Sequence, residues 1–222
     1  MGIMELKEIS KIYNPGKSSE VKALRGVDVT IEEGEWVSIM GKSGSGKSTL
    51  LHIMGLVDRY TAGSYCFDGV CVDKLSQNKV ADLRREKVGF VLQDFGLIWN
   101  MSVMDNIATP LYIAKEKKNM IRERVIRIAR ELEIEDLLKK KAKELSGGQC
   151  QRVAIARALI TEPKVIFADE PTGALDRENA KNIMEIFQKI HARGTTIVMV
   201  THDEEVSHMA GREIVISDGQ IA

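Results

Sequence analysis

A chain of 222 residues is long enough to bury a sizeable core, as one large domain or two closely packed lobes. Its 32 Lys and Arg cancel its 32 Asp and Glu, which gives no support to a long-range electrostatic grip on nucleic acid or anionic lipid. With 44% hydrophobic and 29% charged residues the composition is that of a folded chain and excludes a disordered one. The longest apolar stretch, around Leu50 to Val57, is broken by His52 and Gly55 and falls far short of the roughly 20 residues of a membrane span. Met1 to Ile9 lacks the charged-then-apolar pattern of an export signal. Cys66, Cys71 and Cys150 fit no zinc spacing, so reduced thiols in a cytosol are expected.

In chain order, Met4–Ile9 and Val27–Ile31 alternate apolar and polar residues and predict strands. After the turn Glu33-Gly34, Trp36 to Met40 is a nearly continuous apolar run suited to a strand buried on both faces. A Gly/Ser-rich loop follows, then a helical pattern from Lys47, β character over Gly63 to Val72, and a short strand over Val88 to Leu92. From Val103 to Ile160 the period is helical, with Ile121, Val125, Ile128 and Leu132 on one face and Arg122, Glu123, Arg127 and Arg130 on the other. Strands over Val165–Ala168, Thr196–Val200 and Ile214–Ile216 then alternate with helices across Asn179–His191 and after Thr201. Such alternation argues for a mostly parallel α/β sheet, with the early antiparallel strands and the central helical block as additions. The lysines at 115, 117, 118 and 139–141 read as solvated helix faces.

Gly41-Lys42-Ser43-Gly44-Ser45-Gly46-Lys47-Ser48-Thr49 fits G-x-x-x-x-G-K-[ST] between a buried strand and a helix. Glycines let the backbone wrap close to a ligand, and loop N–H groups together with the helix N-terminus converge on phosphate oxygens. Lys47 would reach the β- and γ-phosphates and the Ser48 hydroxyl would ligate Mg²⁺, so a nucleotide site is expected. Val165 to Ala168 runs into Asp169 and Glu170. In isolation the two carboxylates could be an N-cap pair before Pro171. Beside a phosphate loop, Asp169 can hold Mg²⁺ through water and Glu170 can polarise a water for attack on the γ-phosphate.

Leu145-Ser146-Gly147-Gly148-Gln149 resembles the signature sequence of ATP-binding-cassette (ABC) ATPases, and the family's other motifs stand in the expected order from about Met4 to Ile221. Gln93 is similar to the glutamine-loop residue that ligates Mg²⁺, Gly173-Ala174-Leu175-Asp176 to the D-loop, and His202 to the histidine switch at the γ-phosphate. Tyr13 lies where the family places an aromatic that stacks on adenine, although a strand-end tyrosine also suits plain packing. The resemblance implies a P-loop NTPase (RecA-like) core with an antiparallel β subdomain (residues 1–93 and 162–222) and an inserted helical subdomain (94–161). It implies ATP and Mg²⁺ as ligands. It also implies a head-to-tail dimer in which Ser146, Gly147, Gly148 and Gln149 close over the nucleotide held by the other subunit, with Lys47, Glu170 and His202 catalytic and Asp176 at the nucleotide. Two departures from the pattern are visible: Lys42 where proline is common and Cys150 where glutamine is common. Neither removes a phosphate donor.

Translation-type members usually carry two cassettes, and chromosome-maintenance members carry long coiled coils; this sequence has one cassette and no sustained heptads. The segments Gln93–Ile98, Asn106–Leu111 and Asp169–Asp176 look similar to the macrolide-export and lipoprotein-release group, which also includes antimicrobial-peptide transporter ATPases. The resemblance therefore implies a motor subunit at the inner face of the cell membrane, attached through a separate permease and without a nucleic-acid partner. The alternative within the family is a regulator of a cell-division or other membrane assembly. Phe95, Leu97, Ile98, Trp99 and Met101 crowd the segment after Gln93; Leu97 and Ile98 are expected to pack inward and Trp99 to meet the permease.

Overall fold

The computed structural model describes residues 2–222; Met1, where the expected domain begins, lies outside them. β1 (Gly2–Tyr13) and β2 (Val21–Glu32) are antiparallel partners. Both run beyond the alternating segments that announce them, because register shifts near Leu6, Ile9 and Lys11 break the period of two while pairing continues. β3 (Trp36–Met40) leads into α1 (Lys47–Met54). β4 (Ala62–Phe67) and β5 (Val70–Cys71) form a hairpin whose two-residue turn, Asp68-Gly69, has φ of 49° and 75°. Positive φ at both positions is the type I′ geometry that matches strand twist. α2 (Gln77–Lys87) was not announced by the sequence: none of its residues is fully buried, so it carries no apolar stripe.

The chain continues through β6 (Val88–Val91), α3 (Val103–Ile113), α4 (Lys118–Glu131), α5 (Gly147–Leu159), β7 (Val165–Asp169) and α6 (Arg177–His191). It ends with β8 (Thr196–Val200), the one-turn α7 (Glu204–Ser207), β9 (Arg212–Ser217) and β10 (Gln220–Ile221). Lys139, Lys140 and Lys141 are exposed as expected, but in the connection between α4 and α5 rather than on a helix face. No helix among the described residues is long and apolar enough to cross a membrane.

The residues fall into two compact units: one runs up to Arg84 and resumes at Gly194–Ala222, the other is Arg85–Arg193. In the first, β2, β1, β4 and β5 make an antiparallel sheet, and β3 pairs in parallel with both β8 and β9. Every residue of β8 is buried, as are Trp36, Val37, Ser38 and Ile39 of β3, which is why both read as unbroken apolar runs. Leu50, Leu51, Ile53 and Met54 of α1 complete that core. In the second unit β6 pairs in parallel with β7, where Phe90 stacks on Phe167 with centroids 5.4 Å apart. Ile121, Val125 and Ala129 form the buried stripe of α4 and Leu132 is buried at its C-cap, while Ile128, expected on this face, is half-buried. Val153, Ala154, Ile155 and Ala156 bury α5 nearly all round.

Candidate functional site

In the first unit the glycine-rich loop leaves β3 at its carboxyl end, beside the carboxyl end of β8 from which His202 follows. Gly41 stands at φ 151°, and a Cβ there would lie 2.2 Å from the Ile216 carbonyl oxygen. Gly46, the N-cap of α1, stands at φ 109°, and a Cβ would lie 2.6 Å from the Ala23 carbonyl. Only glycine fits either place. Lys47 is 9% exposed; its Nζ donates to the carbonyls of Gly41 (2.7 Å) and Lys42 (2.9 Å). The ammonium therefore lies inside the loop with a further N–H to give. Ser45 Oγ is buried without a hydrogen-bond partner among the described residues, and no side chain caps α1. A buried hydroxyl, a lysine head and an uncapped helix start in one small loop fit an anionic phosphate chain. Ser43, Gly44 and Ser48 are exposed around it, and His202 is exposed at the end of β8.

Tyr13 closes β1 with a third of its surface exposed, its hydroxyl donating 2.8 Å to Asp58 Oδ2. Lys11 Nζ stands 4.6 Å from the centre of the Tyr13 ring and donates to Asp58 Oδ1 (2.7 Å) and to the Arg59 carbonyl (2.5 Å). Burial, then the Asp58 carboxylate, raise the Tyr13 pKa, while a hydrogen bond with Thr49 of α1 lowers it. The ring is thus tied to the helix that carries the phosphate loop, with one face taken by an ammonium. Asp58 and Lys11 are residues that sequence reasoning missed, since nothing local links them across 47 positions.

In the second unit, Gln93 follows β6, Asp169 ends β7 and Glu170 comes directly after it, so all three lie at the carboxyl edge of this parallel pair. Glu170 has φ 45°, rare for a residue with a side chain and found at functional sites. The Glu170 carbonyl accepts the Gly173 N–H (3.0 Å). A Cβ on Gly173 would lie 3.0 Å from Gln93 Nε2 and 3.4 Å from Glu170 Oε2, so the amide and the carboxylate converge on the bare α-carbon. Among the described residues no group of three His, Cys, Asp or Glu is arranged to hold a metal ion.

Ser146 N-caps α5 in a capping box: its Oγ accepts the Gln149 N–H at 3.4 Å, and Gln149 Oε1 accepts the Ser146 N–H at 3.1 Å. The two glycines differ. Gly147 has room around it, but a Cβ on Gly148 would lie 2.4 Å from Asn179 Oδ1. Asp176, the N-cap of α6, holds that asparagine by accepting its N–H (2.9 Å) and side-chain amide (2.7 Å), and these bonds lower the Asp176 pKa. Gly148 is therefore required by the packing of α5 on α6, a reason the sequence does not disclose. Arg157, on the same helix, gives its guanidinium to the carbonyls of Gly96 (2.5 Å) and Phe95 (2.8 Å), just past Gln93. Burial lowers its pKa and nearby Asp94 opposes the shift. Beneath it Gly89 of β6 meets α5 so closely that a Cβ would lie 2.6 Å from the Ala158 carbonyl. Cys150 is 2% exposed and burial raises its thiol pKa, as suits an inert thiol.

The family model described as "ABC transporter" matches residues 24–173, from within β2 to the turn after Glu170. The chain belongs to the ABC transporter family. This cassette is 42% identical over 219 residues to the ABC transporter ATP-binding protein YvrO of Bacillus subtilis (strain 168), covering 99% of this chain and 95% of that one. It is also 42% identical over 221 residues to the macrolide export ATP-binding/permease protein MacB of Mannheimia succiniciproducens. There the cassette is matched over its whole length but spans only 34% of the relative. The dimeric ABC transporter cassette MJ0796 superposes with a TM-score of 0.90 at 40% identity, covering 98% of this chain and 96% of that one. The same cassette solved with ADP and Pi after hydrolysis gives a TM-score of 0.90 at 39% identity. The expected α/β P-loop NTPase fold is thereby borne out, and the chain is the ATP-hydrolysing cassette of a transporter.

Proposed function

We propose that this cassette binds Mg²⁺-ATP between two copies of itself and drives a separate membrane permease. The observation that carries the reading is the phosphate loop, where the Lys47 ammonium and the unpartnered Ser45 hydroxyl are buried together under an uncapped helix start. Gly41, Ser43, Gly44, Ser45, Gly46, Lys47, Ser48 and Thr49 hold the phosphates. Ser48, Gln93 and Asp169 hold Mg²⁺, which when bound neutralises charge on the phosphate oxygens. A Mg²⁺ ion keeps several waters and needs few protein oxygens beside the phosphates, which agrees with this sparse donor set. Glu170 orients the attacking water and His202 contacts the γ-phosphate. We also assign residues 1–93 and 162–222 to the core and β subdomain and 94–161 to the helical subdomain, in which α3, α4 and α5 lie. Lys47→Ala should abolish measurable Mg²⁺-ATP binding in a calorimetric titration while leaving the thermal transition close to the native one. Undiminished ATP binding would refute the assignment of this loop.

Tyr13 serves as the adenine platform, with Lys11 behind one face and the other left for the base. Base–aromatic stacking contributes about 1–3 kcal/mol, and loosening the ring forfeits part of it. Asp58→Ala is accordingly expected to raise the KM for ATP about fivefold, with kcat nearly unchanged. A fall in kcat at constant KM would mean that Asp58 does not act through the ring.

The partner surface lies past Gln93. Leu97 is buried as expected, whereas Ile98, expected to pack inward, is 48% exposed, as is Trp99. Asn106, fully buried, clamps the Ile98 backbone by accepting its N–H (2.8 Å) and donating to its carbonyl (3.1 Å). The Trp99 carbonyl accepts the Lys143 N–H at 3.1 Å. Two large apolar side chains are thereby presented on a fixed backbone, which reduces the ordering cost of binding a permease helix. The cassette would then sit at the inner face of the membrane through that helix and serve export of, or resistance to, a drug, peptide or lipoprotein; the MacB relatives are named for macrolide export. Trp99→Ala should leave basal ATPase within a few-fold and weaken co-purification with the permease about thirtyfold, a loss of roughly 2 kcal/mol. Normal permease binding by that variant would place the coupling surface elsewhere.

A further inference from the structure

We propose that Cys66 and Cys71 form a reversible dithiol–disulfide pair at the tip of the β4–β5 hairpin, oxidised by a low-molecular-weight disulfide. The register places them directly opposite each other, one step in from the Phe67–Val70 pair that flanks the Asp68-Gly69 turn. In a two-residue hairpin the flanking pair exchanges the backbone hydrogen bonds, so the next pair inward makes none. Residues at such a position have Cα atoms about 4.5 Å apart, with side chains on the same face. A disulfide spans Cα separations of about 4.4–6.8 Å, so this one can close without unfolding the hairpin, near the short end of its range. Tyr65 and Phe67 are buried on the inner face of β4, which puts Cys66 on the other, and both cysteines are half-buried free thiols. Cys150 is buried in the other unit and takes no part.

The neighbouring Cys71 sulfur, then burial, raise the Cys66 thiol pKa, and Glu5, opposite Cys66 on β1, adds to this while Lys7 opposes it. The exchange balances in the same way begun at Cys71 or at Cys66. The Cys71 thiolate attacks one sulfur of the small disulfide and expels one thiolate. The Cys66 thiolate then attacks Cys71 Sγ in the mixed disulfide and expels the second. Two electrons pass from the cysteine pair to the small disulfide, and the two cysteine protons end on the two released thiols. A half-exposed bridge is open to attack by a thiolate, so excess thiol reopens it. Closing it staples β5, which has only two residues, to β4. Val72 and Asp73, next in the chain, line a 690 Å³ cavity with Arg84 and Leu56, so the staple also stiffens one wall of that cavity.

The test equilibrates the purified native chain with oxidised and reduced glutathione, quenches with acid, alkylates, and cleaves before Asp68. The expected product is two fragments joined through sulfur, lighter by two hydrogens than the reduced pair, exceeding the mixed disulfide at least tenfold and reopened by excess reduced glutathione. Cys66→Ser and Cys71→Ser, at half-buried positions that tolerate a hydroxyl, should each stop at one bound glutathione. Thermal transitions of both variants establish that they are folded. The proposal is overturned if the native chain carries glutathione without a bridge, if neither thiol reacts, or if the bridge runs to Cys150 or to a second chain.

Discussion

Glu170→Gln is expected to bind Mg²⁺-ATP as tightly as the native cassette while turning it over about 10²–10⁴-fold more slowly, the usual loss when a positioned general base is removed. Glutamine keeps the shape of the side chain at the end of β7 but cannot accept a proton from the attacking water. The left-handed backbone at Glu170 and the bare Gly173 α-carbon beside its carboxylate are matters of main-chain geometry, which this substitution leaves in place. ATP binding without release should accumulate a closed dimer. Phosphate release and gel filtration with ATP check both points, and a variant that hydrolyses ATP at the native rate would remove Glu170 from its role.

Ser146→Arg should leave ATP binding to a single subunit intact and bring ATPase close to zero. Two effects must be separated. Losing the N-cap hydroxyl costs α5 about 1 kcal/mol, and a cation at the positive end of a helix adds an unfavourable charge interaction. Neither of these alone stops catalysis. On the proposed reading the start of α5 meets the other subunit's γ-phosphate, and an arginine side chain filling that place would stop it. Ser146→Ala, which loses only the cap, should therefore retain much of the activity. In the native cassette the ATPase rate should rise faster than linearly with protein concentration. A strictly linear dependence, carried down to concentrations at which the protein is monomeric, would contradict a site completed by a second copy.

Both variants concern residues that the sequence names through local pattern: a buried run ending in two carboxylates, and a serine before two glycines. The phosphate loop was legible for the same reason, since its strand, turn and helix are contiguous. What escaped were partnerships between distant residues and elements without a periodic face. α2 buries none of its residues and so offers no stripe to read. Asp58 and Lys11 meet across 47 positions, and Arg157 reaches Phe95 across 62. Ile98 was expected inside on hydrophobicity alone; the buried Asn106, which takes over its backbone, turns the segment so that the side chain faces out. Gly148 is named by the signature motif alone, and its packing against Asn179 appears only once α5 and α6 lie side by side.

The join between β6 and α5 has a mechanical consequence. Where Gly89 meets the Ala158 carbonyl no atom can be interposed, and one residue further along α5 the Arg157 guanidinium grips the chain just beyond Gln93. Strand, loop and helix therefore share almost no play. The loop after Gln93 is held to α5 by its own main chain, through the Phe95 and Gly96 carbonyls that accept the Arg157 guanidinium. A shift of that loop taken as one piece would carry with it the helix that Ser146 begins.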